Sequence, residues 1–277
     1  MNIYLTTFIA VYIYLIGFIL GTVFGSFINC QAYRIAHGEK WWTGRSHCAN
    51  CNHPLNALDL VPILSYLFLR GRCRYCKEKI SPRYILTELM MGLLFVGLIF
   101  TAGELSFALL MNMGLVVILL GLSLVDLDTM EIPNGYILFG ILWWLGIVIA
   151  NGAYQFLHVT ESVDKQGVLK ASAYYLLWHL FAGVIIAGMI LILSLIMDRL
   201  LQKESMGGGD IKLLFMVSLY LGIYQGLFML IMSCLIGLLV VVITKRDKIP
   251  FGPSIAAGTY LGLTIGIPIT NWYIGLL

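Results

Sequence analysis

Residues 211–244 read IKLLFMVSLYLGIYQGLFMLIMSCLIGLLVVVIT, 34 positions that carry one charge, Lys212. A helix crosses the hydrocarbon core of a bilayer in about 20 residues. The stretch is too long for one comfortable span and short for two. The turn-like Gly222-Ile223-Tyr224-Gln225-Gly226 in its middle favours two short helices. That choice sets the side on which every later segment emerges.

Working outward, the 277 residues are 60% hydrophobic and 11% charged, with a mean hydropathy of +0.92. An ordinary soluble domain is roughly 25% charged. The composition is that of an all-α, polytopic membrane protein. Other apolar runs cover about 4–28, 84–102, 105–125, 135–151 and 173–197, and a last one follows Pro253. With 211–244 read as two, the expectation is eight transmembrane helices. The first run, Tyr4 to Ile28, lacks a basic flank and exceeds a signal-peptide core, so it reads as a retained span. A net charge of +3 is too small to point to nucleic acid.

Charge distribution tests the count, because cytoplasmic loops collect Lys and Arg. Eight spans with the N-terminus outside put 29–83, 126–134, 198–212 and 245–252 in the cytoplasm. Those segments hold every basic residue of the 17 except Lys165 and Lys170. One span over 211–244 would export Lys245, Arg246 and Lys248 instead. The division expected is 1–33 as first transmembrane helix, 34–83 as a cytoplasmic domain and 84–277 as the remaining membrane domain.

The cytoplasmic segment holds Cys48-x2-Cys51 and Cys73-x2-Cys76. Two such pairs, each supplying two thiolates, suit a tetrahedral structural zinc site. A cytosolic disulfide is disfavoured because that compartment keeps thiols reduced. Metal binding would supply folding energy that about 50 residues cannot draw from a core. The apolar run between the pairs, around Leu58 to Leu67, reads as an inner face packed on the membrane domain. Trp41 and Trp42 read as interface markers. Cys30 and Cys234 lie in or beside apolar runs and read as small buried hydrophobes, and His179 as a helix-packing residue.

Carboxylates near hydrocarbon are costly, so each is a functional hypothesis. Asp126 and Asp128 stand at the end of one span, before Pro133. Asp210 follows Gly207-Gly208-Gly209, a stretch of backbone without side chains that a peptide can approach. Plainer readings exist: a solvated helix end for Asp126 and a helix N-cap for Asp210. In the eight-span arrangement both stretches meet the same membrane face. Two aspartates that close share one proton and activate a water without metal or covalent intermediate.

The chain resembles the type IV prepilin peptidases, membrane aspartyl proteases with a Gly-x-Gly-Asp motif. The resemblance rests on Gly25-Ser26-Phe27-Ile28-Asn29 with Tyr33-Arg34, and on the two cysteine pairs with Asp59-Leu60-Val61-Pro62, Ser65-Tyr66-Leu67 and Arg70-Gly71-Arg72. It continues through Ile80-Ser81, Arg83-Tyr84 and Glu88. Asp126-x-Asp128 with Ile132-Pro133-Asn134, Gly207-Gly208-Gly209-Asp210-Ile211-Lys212 and Pro250-Phe251-Gly252-Pro253 complete it. Ala49 stands where Pro is usual after the first Cys, and Asn134 where the family has Asp.

The resemblance implies cleavage of the basic leader of type IV prepilins or pseudopilins at the cytoplasmic face of the bacterial inner membrane. It also implies N-methylation of the new terminus by S-adenosylmethionine, with the lipid bilayer as the protein's setting. Carried over by motif, the catalytic pair is Asp126 and Asp210, with Asp128, Gly207, Gly208, Gly209 and Lys212 auxiliary and 84–277 the peptidase domain. S-adenosylmethionine has no recognisable cradle in the sequence. Gly71 is a candidate for that function, which a knuckle turn explains equally well. Rival readings are a presenilin-like protease with other substrates and a proton-coupled transporter. The latter would place its acids near the midplane between repeats, whereas these lie at span ends with no repeat evident.

Overall fold

The computed structural model describes residues 7–40, 43–158, 165–203, 205–246 and 248–275. Trp41 and Trp42 lie outside the described residues. Among those described there is no β-strand, only isolated antiparallel bridges His47–Pro54 and Arg72–Lys79. The helices are α1 (Thr7–Ala36), α2 (Leu64–Phe68), α3 (Arg83–Ala102), α4 (Phe107–Thr129) and α5 (Asn134–His158). They continue as α6 (Lys165–Leu201), α7 (Gly208–Thr244), α8 (Gly252–Leu261) and α9 (Ile267–Ile274). Six of them, α1 and α3 to α7, are long and apolar enough to cross a membrane. Several outrun the apolar stretches that announced them; α5, for one, continues through Asn151, Gly152 and Gln155 to His158. The chain divides into two compact units, Met1–Leu105 and Ser106–Leu277.

In the first unit α1 packs on α3 almost backbone to backbone. Gly17, Gly21 and Gly25 recur every fourth residue, and a Cβ built on Gly21 would stand 2.6 Å from Met91 O. Small residues at this spacing are the usual means of close helix approach in a membrane. The polar segment is pinned to both helices. Buried Arg34 of α1 donates to the carbonyls of Thr43, Gly44 and Arg45 at 3.2, 3.1 and 3.2 Å. Buried Glu88 of α3 accepts the Ile63 N–H at 2.7 Å. Ile63 has φ 60° and ψ −53°, the corner of a γ-turn closed by Leu64 N–H to Pro62 O at 2.5 Å. A β-branched residue rarely adopts that conformation, and the Glu88 bond helps hold it. The large apolar side chains on either side of Ile63 are exposed rather than packed inward.

In the second unit α4 is enclosed for most of its length, with Leu115, Val116, Ile118, Leu119 and Leu122 buried. Ser106 Oγ caps its start by accepting from Leu109 N, and Met130 in the left-handed region ends it. The first half of α7 is the other core element, with Leu213, Leu214, Met216 and Val217 fully buried. At Gly222 (φ 71°, ψ −171°) α7 leaves helical geometry, in a region essentially reserved for glycine. A Cβ on Gly226 would lie 3.6 Å from Ser218 Oγ. Eight residues of continuous helix would separate these positions by about 12 Å. The chain therefore folds back on itself at the turn expected from the sequence. From Gly252 to Ile274, α8, a short π-helical turn at Gly262–Gly266 and α9 follow one another without a gap.

His179 of α6 donates from Nδ1 to Leu219 O at 2.7 Å. In an unbroken helix that carbonyl would accept from Ile223 N–H, so the histidine serves the end of a helix interrupted in an apolar setting. Cys30 is half-buried beside Ser46 and Cys234 is exposed on α7, which corrects the expectation of two buried cysteines.

Candidate active site

Asp126 lies in the last turn of α4 and is 4% exposed. Its Oδ2 accepts the N–H of Gly252, the first residue of α8, at 2.8 Å. A Cβ on Gly252 would sit 2.6 Å from that same oxygen, so this approach requires glycine. Asp210 is the third residue of α7 and is half-buried. Gly207, not Asp210, is the N-cap, which removes the plain capping reading. The Asp210 N–H donates to Gly207 O at 3.1 Å, and a Cβ on Gly207 would meet Asp210 Oδ2 at 3.4 Å.

The loop after α4 and the start of α7 are tied together. Lys212 Nζ donates to Asn134 Oδ1 at 3.0 Å. A Cβ on Gly209 would stand 3.0 Å from Ile132 Cβ, so the glycine lets the two loops touch. These links bring the end of α4 that carries Asp126 beside the first turn of α7 that carries Asp210, 84 positions away in sequence. Asp128 is exposed, on the outward side of the α4 end, while Gly208 faces open space. Beside this site an open apolar groove of about 370 Å³ runs between Ile137, Leu138, Ile141, Ile211 and Phe215, with Asn134 and Lys212 in its lining.

In the first unit Cys48, Cys51, Cys73 and Cys76 converge, their sulfurs all within 4.8 Å of one another. Cys48 Sγ and Cys76 Sγ are 3.9 Å apart. A tetrahedral zinc with sulfurs at about 2.3 Å separates them by about 3.8 Å, so the donor set fits. Each pair sits on the same turn. Asn52 N–H bonds Cys48 O at 2.9 Å and Lys77 N–H bonds Cys73 O at 3.1 Å, with both Asn52 and Lys77 at positive φ. Burial works against ionising the Cys48 thiol, but the N–H groups of Cys51 and Asn50 prevail and bring it down to about 7. Beside the cluster, burial opposes the charge of Asp59, yet Arg74 at 2.6 Å and the Asn56 N–H hold its carboxyl below the usual range.

Comparison with known proteins places the chain in a family. The Bacterial Peptidase A24 N-terminal domain matches residues 19–102, and the Type IV leader peptidase family matches residues 113–242. The prepilin leader peptidase/N-methyltransferase of Aeromonas hydrophila is 35% identical over 238 residues, covering 83% of this chain and 74% of its own. The chain belongs to the type IV leader peptidase family. Within that family, the Neisseria gonorrhoeae prepilin leader peptidase/N-methyltransferase is 30% identical over 288 residues, 92% of this chain and 93% of its own. The type 4 prepilin-like proteins leader peptide-processing enzyme of Escherichia coli O78:H11 is 32% identical over 259 residues, 86% and 88% respectively. No solved structure matches at a significant level.

Two features of this leader peptidase family member go beyond the motif reading. Gly252 is drawn into the site by its N–H; the run Pro250-Phe251-Gly252-Pro253 was the only signal of it in sequence. Asn134, which departs from the motif, accepts a hydrogen bond from Lys212 and so ties the loop after α4 to α7.

Proposed function

We propose that this chain is a membrane aspartyl endopeptidase that removes the leader of type IV prepilins or pseudopilins and then methylates the exposed N-terminus. What carries the reading is the tie between the Asp126 end of α4 and the Asp210 turn of α7 beside an apolar groove, in a chain whose relatives are named for that pair of activities. The groove would take the apolar segment that follows the leader, leaving the cut bond near the carboxyls.

In this mechanism Asp126 is the general base and Asp210 the acid. The base role is given to Asp126 because the Gly252 N–H donates to its Oδ2, a contact that favours the ionised carboxylate. Asp126 Oδ1 then takes a proton from water as the oxygen attacks the scissile carbonyl, while Asp210 protonates the carbonyl oxygen. On collapse of the gem-diol, Asp126 returns the proton to the leaving amine and Asp210 recovers its own. Lys212 and Gly207 to Gly209 position Asp210; Asp128 stays outside the pair. Cys48, Cys51, Cys73 and Cys76 would hold a structural zinc. The methyl donor is S-adenosylmethionine, to which no residue is assigned.

The same reading places the chain in the bacterial inner membrane with eight crossings and the N-terminus outside, counting the α7 reversal as two and α8–α9 as the last. Family membership weighs against a presenilin-like substrate range and against a transporter. The deciding experiment is mass spectrometry of a prepilin leader substrate with purified protein, with and without S-adenosylmethionine. Cleavage at the leader junction is expected, with one added methyl group only when the donor is present. D126N and D210N should each abolish cleavage while zinc content stays unchanged. Wild-type-like turnover by either variant would overturn the pairing.

A further inference from the structure

The cysteine segment carries an apolar surface that its own fold leaves uncovered. Leu58, Leu60, Val61, Leu64, Leu67 and Phe68 are all exposed, Leu58 at 73% and Phe68 at 83%. So many large apolar side chains in 11 successive positions, residues 58–68, mark an interaction surface rather than ordinary solvent exposure. The occupant is indicated by depth and by charge.

Depth is set by Glu88. It lies in the second turn of α3, a membrane-crossing helix, and its carboxylate accepts the Ile63 N–H at 2.7 Å. Five residues of helical rise amount to about 7.5 Å. Ile63 is therefore held within one side-chain length of a level below the start of α3, not out in bulk water. The next residue begins α2, whose Leu64, Leu67 and Phe68 are the exposed ones. Charge follows directly in sequence: Arg70, Arg72, Arg74, Lys77 and Lys79 are all exposed, and among them Arg74 pairs with Asp59. An apolar turn followed by clustered cations is suited to a bilayer surface with anionic headgroups.

We infer that residues 58–68 are an interfacial membrane anchor, with Leu64, Leu67 and Phe68 seated at the acyl boundary and the following basic residues among the headgroups. The γ-turn at Ile63 and its bond to Glu88 aim α2 at the lipid. The zinc knuckles are thereby held at a fixed height over the membrane, independently of any substrate.

The test uses the full-length protein in vesicles of phosphatidylethanolamine and phosphatidylglycerol. p-Benzoyl-phenylalanine replaces Phe68 in one variant and the exposed Ala49 of the first knuckle in another. After irradiation, intact-protein mass spectrometry reads what each probe has captured. Phospholipid adducts at position 68 should exceed those at position 49 by about tenfold, as expected of a residue seated at the acyl boundary. Unchanged zinc content confirms folding, and the same probe at Leu67 replaces position 68 if that variant loses zinc. Capture of a second copy, of another part of the chain or of an added leader peptide in place of lipid would overturn the inference. So would equal or absent lipid capture at the two positions.

Discussion

Gly252 acts on Asp126 through two properties that no other residue combines. Its N–H reaches Oδ2 at 2.8 Å, and its missing side chain leaves room for that oxygen, which a Cβ would meet at 2.6 Å. Gly252→Ala should therefore push the carboxyl off its position rather than remove it. Displacement of a reacting group by about 1 Å costs on the order of a hundredfold in rate. The expected result is a kcat lower by about that factor with KM little changed, read by quantitative cleavage assays on protein of unchanged metal content. A loss confined to KM would instead make Gly252 part of substrate binding. Lys212 belongs to the same scale but matters less. Its bond to exposed Asn134 resembles a surface pair, worth about 0–1 kcal/mol, so Lys212→Met should leave thermal stability nearly unchanged. Any larger effect of that variant should appear in turnover, through the placing of Asp210.

At the scale of elements, the reversal at Gly222 and the paired knuckles decide what the chain can hold in place. Gly222 sits at φ 71°, ψ −171°, with His179 Cε1 3.5 Å from where a Cβ would be. Gly222→Ala places a side chain in a backbone region that costs about 1–3 kcal/mol. A lowered melting temperature in detergent is expected, and His179→Leu should lower it too by leaving Leu219 O without its side-chain donor. An unchanged melt for both would mean that the turn carries no strain and the histidine no bond. In the first unit, Cys73 is the buried member of the cluster. Cys73→Ser should abolish stoichiometric zinc by elemental analysis and open 43–80 to proteolysis, since so small a segment has little else to hold it.

The turn at Gly222 was legible because a 34-residue apolar run has to break somewhere and two glycines marked the place. The four-cysteine cluster was legible because the spacing of the two Cys-x2-Cys pairs is itself the geometry of such a site. Other contacts were not, for a common reason. His179 to Leu219, Glu88 to Ile63 and Gly252 to Asp126 are each bonds between a side chain and a distant backbone group. A backbone partner has no residue type, so it leaves no trace in composition or motif. The outward-facing Leu64, Leu67 and Phe68 misled for a different reason: apolar residues facing lipid and apolar residues facing a core read alike.

For the molecule as a whole, topology decides whether Asp126 and Asp210 stand at one membrane face. Asp126 ends α4 and Asp210 begins α7, with α5 and α6 between them, so two crossings return the chain to the face it left. That makes a shared face for the pair independent of the α7 reversal, whereas the segments after α7 depend on it. If α7 crosses once, Lys245, Arg246 and Lys248 are exported and Gly252 begins α8 on the far side from Asp126. The 2.8 Å bond from Gly252 N–H to Asp126 Oδ2 is incompatible with that. The bond and the positive-inside rule thus demand the same fold-back. Truncation fusions give the check in whole cells. Alkaline phosphatase fused after Lys165 should be active, marking the outer face. The same reporter fused after Lys248 should be inactive, while green fluorescent protein fused there should fluoresce. Phosphatase activity after Lys248 would separate Gly252 from Asp126 by the thickness of the bilayer and remove the donor from the catalytic site.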